Sequence, residues 1–189
     1  MHVDKSGSDE PEVSRRLKKL IEANQSLADV DSLKKLVPRL LLLAREVTRA
    51  EASSFLIYDS ERDVLKFTSV QDEVIGDSTK QILKDSFELK MGEGIAGWVA
   101  KERKPIIIED AQKDNRFFSK ADKTTGFVSR TLLCVPVLHR DELLGVIEVL
   151  NAKDKACFDV SDQQLLISFA NLAAVAIIRA RLLEERLKQ

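Results

Sequence analysis

Apolar positions along this 189-residue chain change their period several times, and each change marks a new element. Residues 1–11 are polar and predict a disordered N-terminus. From Glu12 onward Val13, Leu17, Leu20, Asn24 and Leu27 recur at spacings of four, three, four and three. That spacing predicts a helix over 12–30, with a seam that one asparagine interrupts. Such a seam suits either pairing with a second chain or an amphipathic helix lying on its own domain. DVDS (29–32) breaks the pattern, and Asp31 or Ser32 is placed to cap the next helix. There Leu33, Leu36, Val37, Leu40, Leu41, Ala44 and Val47 form a broad apolar stripe. Pro38 either kinks that helix or marks its effective first turn.

The period then shortens. SSFLIYD (53–59) and DVLKFTSV (63–70) flank a turn-like SER segment and predict an antiparallel hairpin. Residues 71–85 are polar and predict an irregular or short helical excursion, after which FELKM leads into MGEGIAGW. PIIIED (105–110) reads as a strand, and a long polar connection over 111–130 carries Phe117, Phe118 and Phe127. A connection of that length in a compact domain is often functional. RTLLCVPVL (130–138) and LLGVIEVLN (143–151) form a second hairpin, apolar throughout as central strands covered on both faces are. Glu148 is the exception within GVIEVL. It is either ion-paired or solvent-facing on its strand, or a carboxylate pointing into a pocket.

Gly92, Gly94 and Gly97 spell G-x-G-x-x-G, with Asp110 at about the distance at which a dinucleotide fingerprint places its acidic residue. The context argues against that fingerprint, because about ninety residues open with helices and the following segment ends in a hairpin. Two readings remain. The glycines serve backbone geometry alone, or they let a small, partly anionic ligand approach the free N–H groups at the start of the helix.

The last helix is apolar almost all round from Leu165 to Ile178, with Ser161 as its expected N-cap. One face is expected on the sheet. The other carries Leu166, Phe169, Ala173, Ala176, Ala180, Leu183 and Leu187 at heptad spacing, and predicts a seam between two chains. Residues 181–189 then protrude, or continue into a longer protein.

Composition narrows the classes. Lys and Arg number 30 against 31 Asp and Glu, with no basic block, which speaks against a nucleic-acid binder. No apolar run is read as long enough to span a bilayer. Cys134 and Cys157 lack CxxC spacing and predict reduced thiols in the cytoplasm. His2 and His139 are isolated, and no metal-ligand spacing or nucleophile–base set is found, which predicts a non-enzymatic protein without a metal.

MGEGIAGWVA, TGFVSRTLLCVPV, GVIEVLNAK and FDVSDQQLL, in this order, resemble a GAF domain over roughly residues 30–180, assigned here as 31–180. The resemblance implies an α+β fold: an antiparallel sheet of five to six strands, terminal helices on one face, and a ligand pocket with short helices on the other. It also implies a dimeric, small-molecule-sensing regulatory module. The nearest flavour is the regulatory GAF domain of cyclic-nucleotide phosphodiesterases and adenylyl cyclases. Asn151, Lys153, Phe158 and Asp162 match that group's signature in kind, although Ala152 displaces the lysine by one and Gln163 replaces a glutamate.

A cyclic nucleotide is the ligand this likeness implies. Ser54 would lie on the first strand, the amides of Ile95 and Ala96 on the cyclic phosphate, Asp122, Thr125 and Ser129 on a covering loop, and Glu148 on the central strand. Where those relatives carry a Phe-Asp pair near the base, this chain has Thr68 and Ser69. Two alternatives stay open: a structural dimerisation unit without ligand, and a redox enzyme of GAF fold.

Overall fold

The computed structural model describes residues 10–28, 33–71, 85 and 87–187. The expectations for residues 1–9, the cap at Asp31 or Ser32 and the excursion after Gln71 lie outside them, as do the side chains of Val13, Leu27, Leu33 and Ser69. Helices α1 (Glu10–Ala28) and α2 (Leu33–Thr48) lead into strands β1 (Ala50–Asp59), β2 (Val64–Gln71) and β3 (Glu88–Lys90). Then come α3 (Gly94–Glu102), β4 (Ile106–Ile108), a 3-10 turn (Ala111–Lys113) and α4 (Lys120–Thr125). The hairpin β5 (Leu132–His139) and β6 (Glu142–Ala152) precedes the long helix α5 (Val160–Leu187). Pro38 sits inside α2, which runs through it.

Six strands form one antiparallel sheet in the order β3-β2-β1-β6-β5-β4. Alternation sorts the strands' side chains onto two faces. Phe55, Leu133, Val135, Ile147 and Val149 face a core completed by α2 and α5. Leu56, Leu132, Cys134 and Val146 face a second cluster completed by Ile95, Ala96, Val99 and Ala100 of α3. Gly145 lets the two central strands close, since a Cβ there would stand 2.4 Å from the Leu56 carbonyl oxygen.

The terminal helices correct the expected seam. Leu166, Phe169, Ala173 and Ala180 are fully buried in the chain's own core. The small residues of α5 admit α2, with which it packs together with β5 and α1. Ala176 is partly buried against that core, Leu183 is half-buried and Leu187 is exposed. On α1, Ala23 enters the core while Asn24 is exposed and Leu17 is 57% exposed. Among the described residues, the large apolar side chains left outward on these helices are Leu17 and Ile21 on α1, and Val160, Val175, Leu182 and Leu187 on α5.

On length and composition α5 also qualifies as long and apolar enough to cross a bilayer, with a mean hydropathy of 1.7, contrary to the sequence reading. Its buried residues pack against the sheet and α2 instead. The cap is corrected too. Asp159, not Ser161, accepts the Asp162 amide at 3.0 Å, and Asp162 accepts the Asp159 amide at 2.9 Å, a reciprocal capping arrangement.

Candidate functional site: a covered cavity over Glu148

The three central strands place Ser54, Glu148 and Cys134 in one row. Ser54 pairs with Glu148 across β1 and β6, and Cys134 pairs with Glu148 across β5 and β6. Alternation turns this row to the face opposite the terminal helices, where α3, α4 and the segments around them cover a cavity. It encloses about 670 Å³ of space not filled by atoms, open solvent at its mouth included. Ser54, Ile95, Ala96, Asp122, Thr125, Ser129 and Glu148 all line it. Seven residues far apart in the chain and singled out from sequence thus meet around one space. Ser69 pairs with Phe55 through the β2 backbone only as far as the described atoms go.

The floor is polar. The Ser54 hydroxyl donates to Glu148 Oε2 at 2.8 Å. Among the described residues Oε1 has only the Cys134 thiol, at 4.0 Å, a weak contact for a carboxylate that is 9% exposed. Burial pushes the Glu148 carboxyl up to about 7; the Ser54 hydrogen bond pulls it down, and the charge of Asp122 pushes it further up. Burial, helped by Glu148, also pushes the Cys134 thiol well up.

The cover is pinned by Asp122. Its carboxylate accepts the Ser129 amide and the Ser129 hydroxyl, each at 2.7 Å, and the Gln112 amide group at 3.3 Å. Gln112 also donates to the Ser129 carbonyl at 2.9 Å. Thr125 works within the cover, donating to the Ala121 carbonyl and accepting the Phe127 amide at 3.1 Å. Behind them Asn151, in the left-handed region at φ 58°, accepts the Arg130 amide and donates to Val128 and Glu51. Asn151 therefore fastens the return strand beside the cavity without lining it.

One wall is the start of α3. Neither the Ile95 nor the Ala96 amide has an acceptor among the described residues, as expected of the first turn of a helix. The glycines before it serve the backbone. The Gly92 amide donates to the Gly97 carbonyl at 2.8 Å, and a Cβ on Gly97 would stand 2.6 Å from the Lys90 carbonyl oxygen. The three glycines fold the loop back onto its own helix, which accounts for the G-x-G-x-x-G spacing.

The remaining walls are Ala52, Leu89, Ala121, Leu132, Leu150, Phe67, Phe117, Phe118 and Phe127. Phe87 stands behind them, edge-on to Phe67 at 6.5 Å and to Phe118 at 6.0 Å. Phe67 was missed from sequence. A register shift between Phe55 and Leu56 makes Phe67 the partner of Leu56, and Phe67 rather than Thr68 reaches the cavity.

The signature residues lie elsewhere. Phe158 is core, and Asp162 is 2% exposed and ion-paired with Lys155 and Arg16. Lys153, expected to match the signature lysine, is exposed, so the lysine that pairs is Lys155. Positive φ at Asn151 and Asp154 turns the loop between them. Both cysteines are free, Cys134 buried and Cys157 half-buried.

A family model described as GAF domain matches residues 30–178. A probable 3′,5′-cyclic phosphodiesterase, pde-5, of Caenorhabditis elegans is 27% identical over 161 residues, 83% of this chain but 22% of its own length. Among solved structures, the GAF domain of a phosphoenolpyruvate-protein phosphotransferase from Coxiella burnetii superposes with a TM-score of 0.78 at 21% identity, covering 91% of this chain and 98% of that one. Free methionine-R-sulfoxide reductase of Neisseria meningitidis superposes with a TM-score of 0.71 at 16% identity, covering 96% and 97%. At these identities the solved structures establish the fold alone.

Proposed function

Because the chain belongs to the GAF domain family, we propose that it is a regulatory, small-molecule-sensing module whose ligand sits in the cavity over Glu148. Domains of this family are typically non-catalytic sensors, and a signalling role agrees with that. The observation that carries the ligand site is Glu148 itself: a buried carboxylate aimed into a cavity, with one oxygen lacking a full hydrogen bond. Leaving such a group unsatisfied costs about 1–3 kcal/mol or more, so a ligand that satisfies it gains correspondingly. The aromatic cover and apolar walls supply the buried area that small-molecule sites need.

The test is a thermal-shift screen of nucleotides, amino acids and amines against wild type and Glu148→Ala. A ligand of the cavity raises the midpoint of wild type and leaves the variant unmoved. Equal shifts in both place the binding elsewhere.

A second reading takes the ligand as a cyclic nucleotide. It is favoured by the two free amides of Ile95 and Ala96, suited to a cyclic phosphate, and by the phosphodiesterase relative. Calorimetry with cAMP and cGMP tests it, and absence of heat with both removes that class. The module is further proposed to act as a cytoplasmic homodimer through its terminal helices. The outward apolar positions Leu17, Ile21, Val175 and Leu182 support the pairing, and the two free thiols support the compartment.

A further inference from the structure

The charges around the cavity are one-sided. Glu148 and Asp122 both line it, and no lysine, arginine or histidine does so among the described residues. Asp122 stands close enough for its charge to act on Glu148, and its own oxygens are taken by Ser129 and Gln112. Among the described residues Glu148 Oε1 has only a thiol at 4.0 Å. A buried carboxylate without a counter-charge is expensive, and either a proton or a cation relieves it. Three further features describe the rest of the partner. Phe117, Phe118 and Phe127 line the cover, and aromatic rings attract cations when water is excluded. The walls at Ala52, Leu132 and Leu150 are apolar. The Ile95 and Ala96 amides offer donors to an acceptor on the ligand's far side.

We propose that the cavity takes an organic cation with an apolar body, such as an aryl amidine, a guanidine or an arylalkyl amine, and discriminates against anions. The cationic N–H groups face Glu148 Oε1 and the body lies between the apolar walls and the phenylalanines of the cover. This rests on the sensor reading and departs from the cyclic-nucleotide one, whose phosphate would enter beside two carboxylates with no cationic side chain among the described lining residues. It carries a consequence for pH. The groups facing Glu148 are Ser54 from β1, Cys134 from β5 and Asp122 from α4, none of them cationic. The cation therefore competes with the proton on Glu148, and its binding strengthens as that carboxyl ionises.

The experiment is an amide-resolved NMR titration with benzamidine, benzamide and benzoate, which share a shape and differ in charge, and with cGMP. Benzamidine is expected to move the amides of Ile95, Ala96 and Ser129, with benzoate weaker by about tenfold or more, the size of a hydrogen bond between charged groups. Affinity for benzamidine should rise between about pH 6 and pH 8, the range around a carboxyl titrating near neutrality. Glu148→Gln, its fold checked by the same spectra, should lose both the charge preference and the pH dependence. Benzoate or cGMP binding as tightly as benzamidine overturns the proposal and leaves the sensor reading standing, as does an unchanged preference in Glu148→Gln. If none of the four probes moves a cavity amide, this proposal is overturned, while the sensor reading stands or falls on the wider thermal-shift screen.

Discussion

Ser54 and Glu148 are register partners on the two central strands, and the Ser54 hydroxyl donates to Glu148 Oε2 at 2.8 Å from the floor of a covered cavity. The bond favours the ionised carboxylate, yet burial and the neighbouring Asp122 outweigh it. The floor of the site is therefore poised near neutrality.

That poise affects stability. The Glu148 carboxyl rises from 4.5 to about 7 in the fold, so the folded state holds a proton that the unfolded chain has lost between those values. The contribution is fully present below pH 4.5, and is lost as pH rises through 7. The full shift corresponds to about 3 kcal/mol. Thermal unfolding of wild type and Glu148→Gln at pH 5 and pH 8 should show the variant gaining relative to wild type at the higher pH. A constant difference contradicts a shifted Glu148.

Asp122 is expected to hold the cover. Asp122→Ala strands the Ser129 amide and hydroxyl and the Gln112 amide group. The cost should be about 1–3 kcal/mol, with faster hydrogen exchange over residues 120–129 and little change in β1 or β6. Because Asp122 raises the Glu148 carboxyl, the variant should also lower its pKa, read by side-chain carbon NMR.

Two glycines separate backbone approach from backbone conformation. Gly97→Ala places a methyl 2.6 Å from the Lys90 carbonyl oxygen, whereas Gly126→Ala meets nothing within 4 Å and strains only a residue at φ +73°. Gly126→Ala should cost about 1 kcal/mol, and Gly97→Ala clearly more, in denaturant unfolding. The reverse order contradicts the packed glycine loop.

Both hairpins were legible because strand alternation is local, whereas the glutamate inside GVIEVL left both an ion-paired or solvent-facing place and a pocket open. The inward place of Phe67 was not legible, since a register shift at Phe55/Leu56 decides it and nothing local encodes that shift. The pairing of Lys155 with Asp162 was not legible either, because it depends on the turn of the loop between Asn151 and Asp154. On α5 a heptad of small and large residues fits a neighbouring helix equally well whether that helix is α2 of the same chain or a second copy. Burial resolved it for Leu166, Phe169, Ala173 and Ala180.

The proposed dimer is accordingly tested on other residues. Glutamate at Leu17 and Leu182, 57% and 54% exposed, should convert dimer to monomer in light scattering and leave the circular dichroism unchanged. Ala173→Glu should instead unfold the chain, since it places a carboxylate in the core. A dimer surviving both surface changes contradicts pairing through these faces.

The central claim is that the cavity over Glu148 holds a small molecule. Native mass spectrometry of freshly purified protein tests it most directly, comparing wild type with Glu148→Ala. The wild type should carry a non-covalent mass that disappears on denaturation, and the variant should not. A wild type at the bare polypeptide mass, or an adduct retained equally by both proteins, would contradict the account.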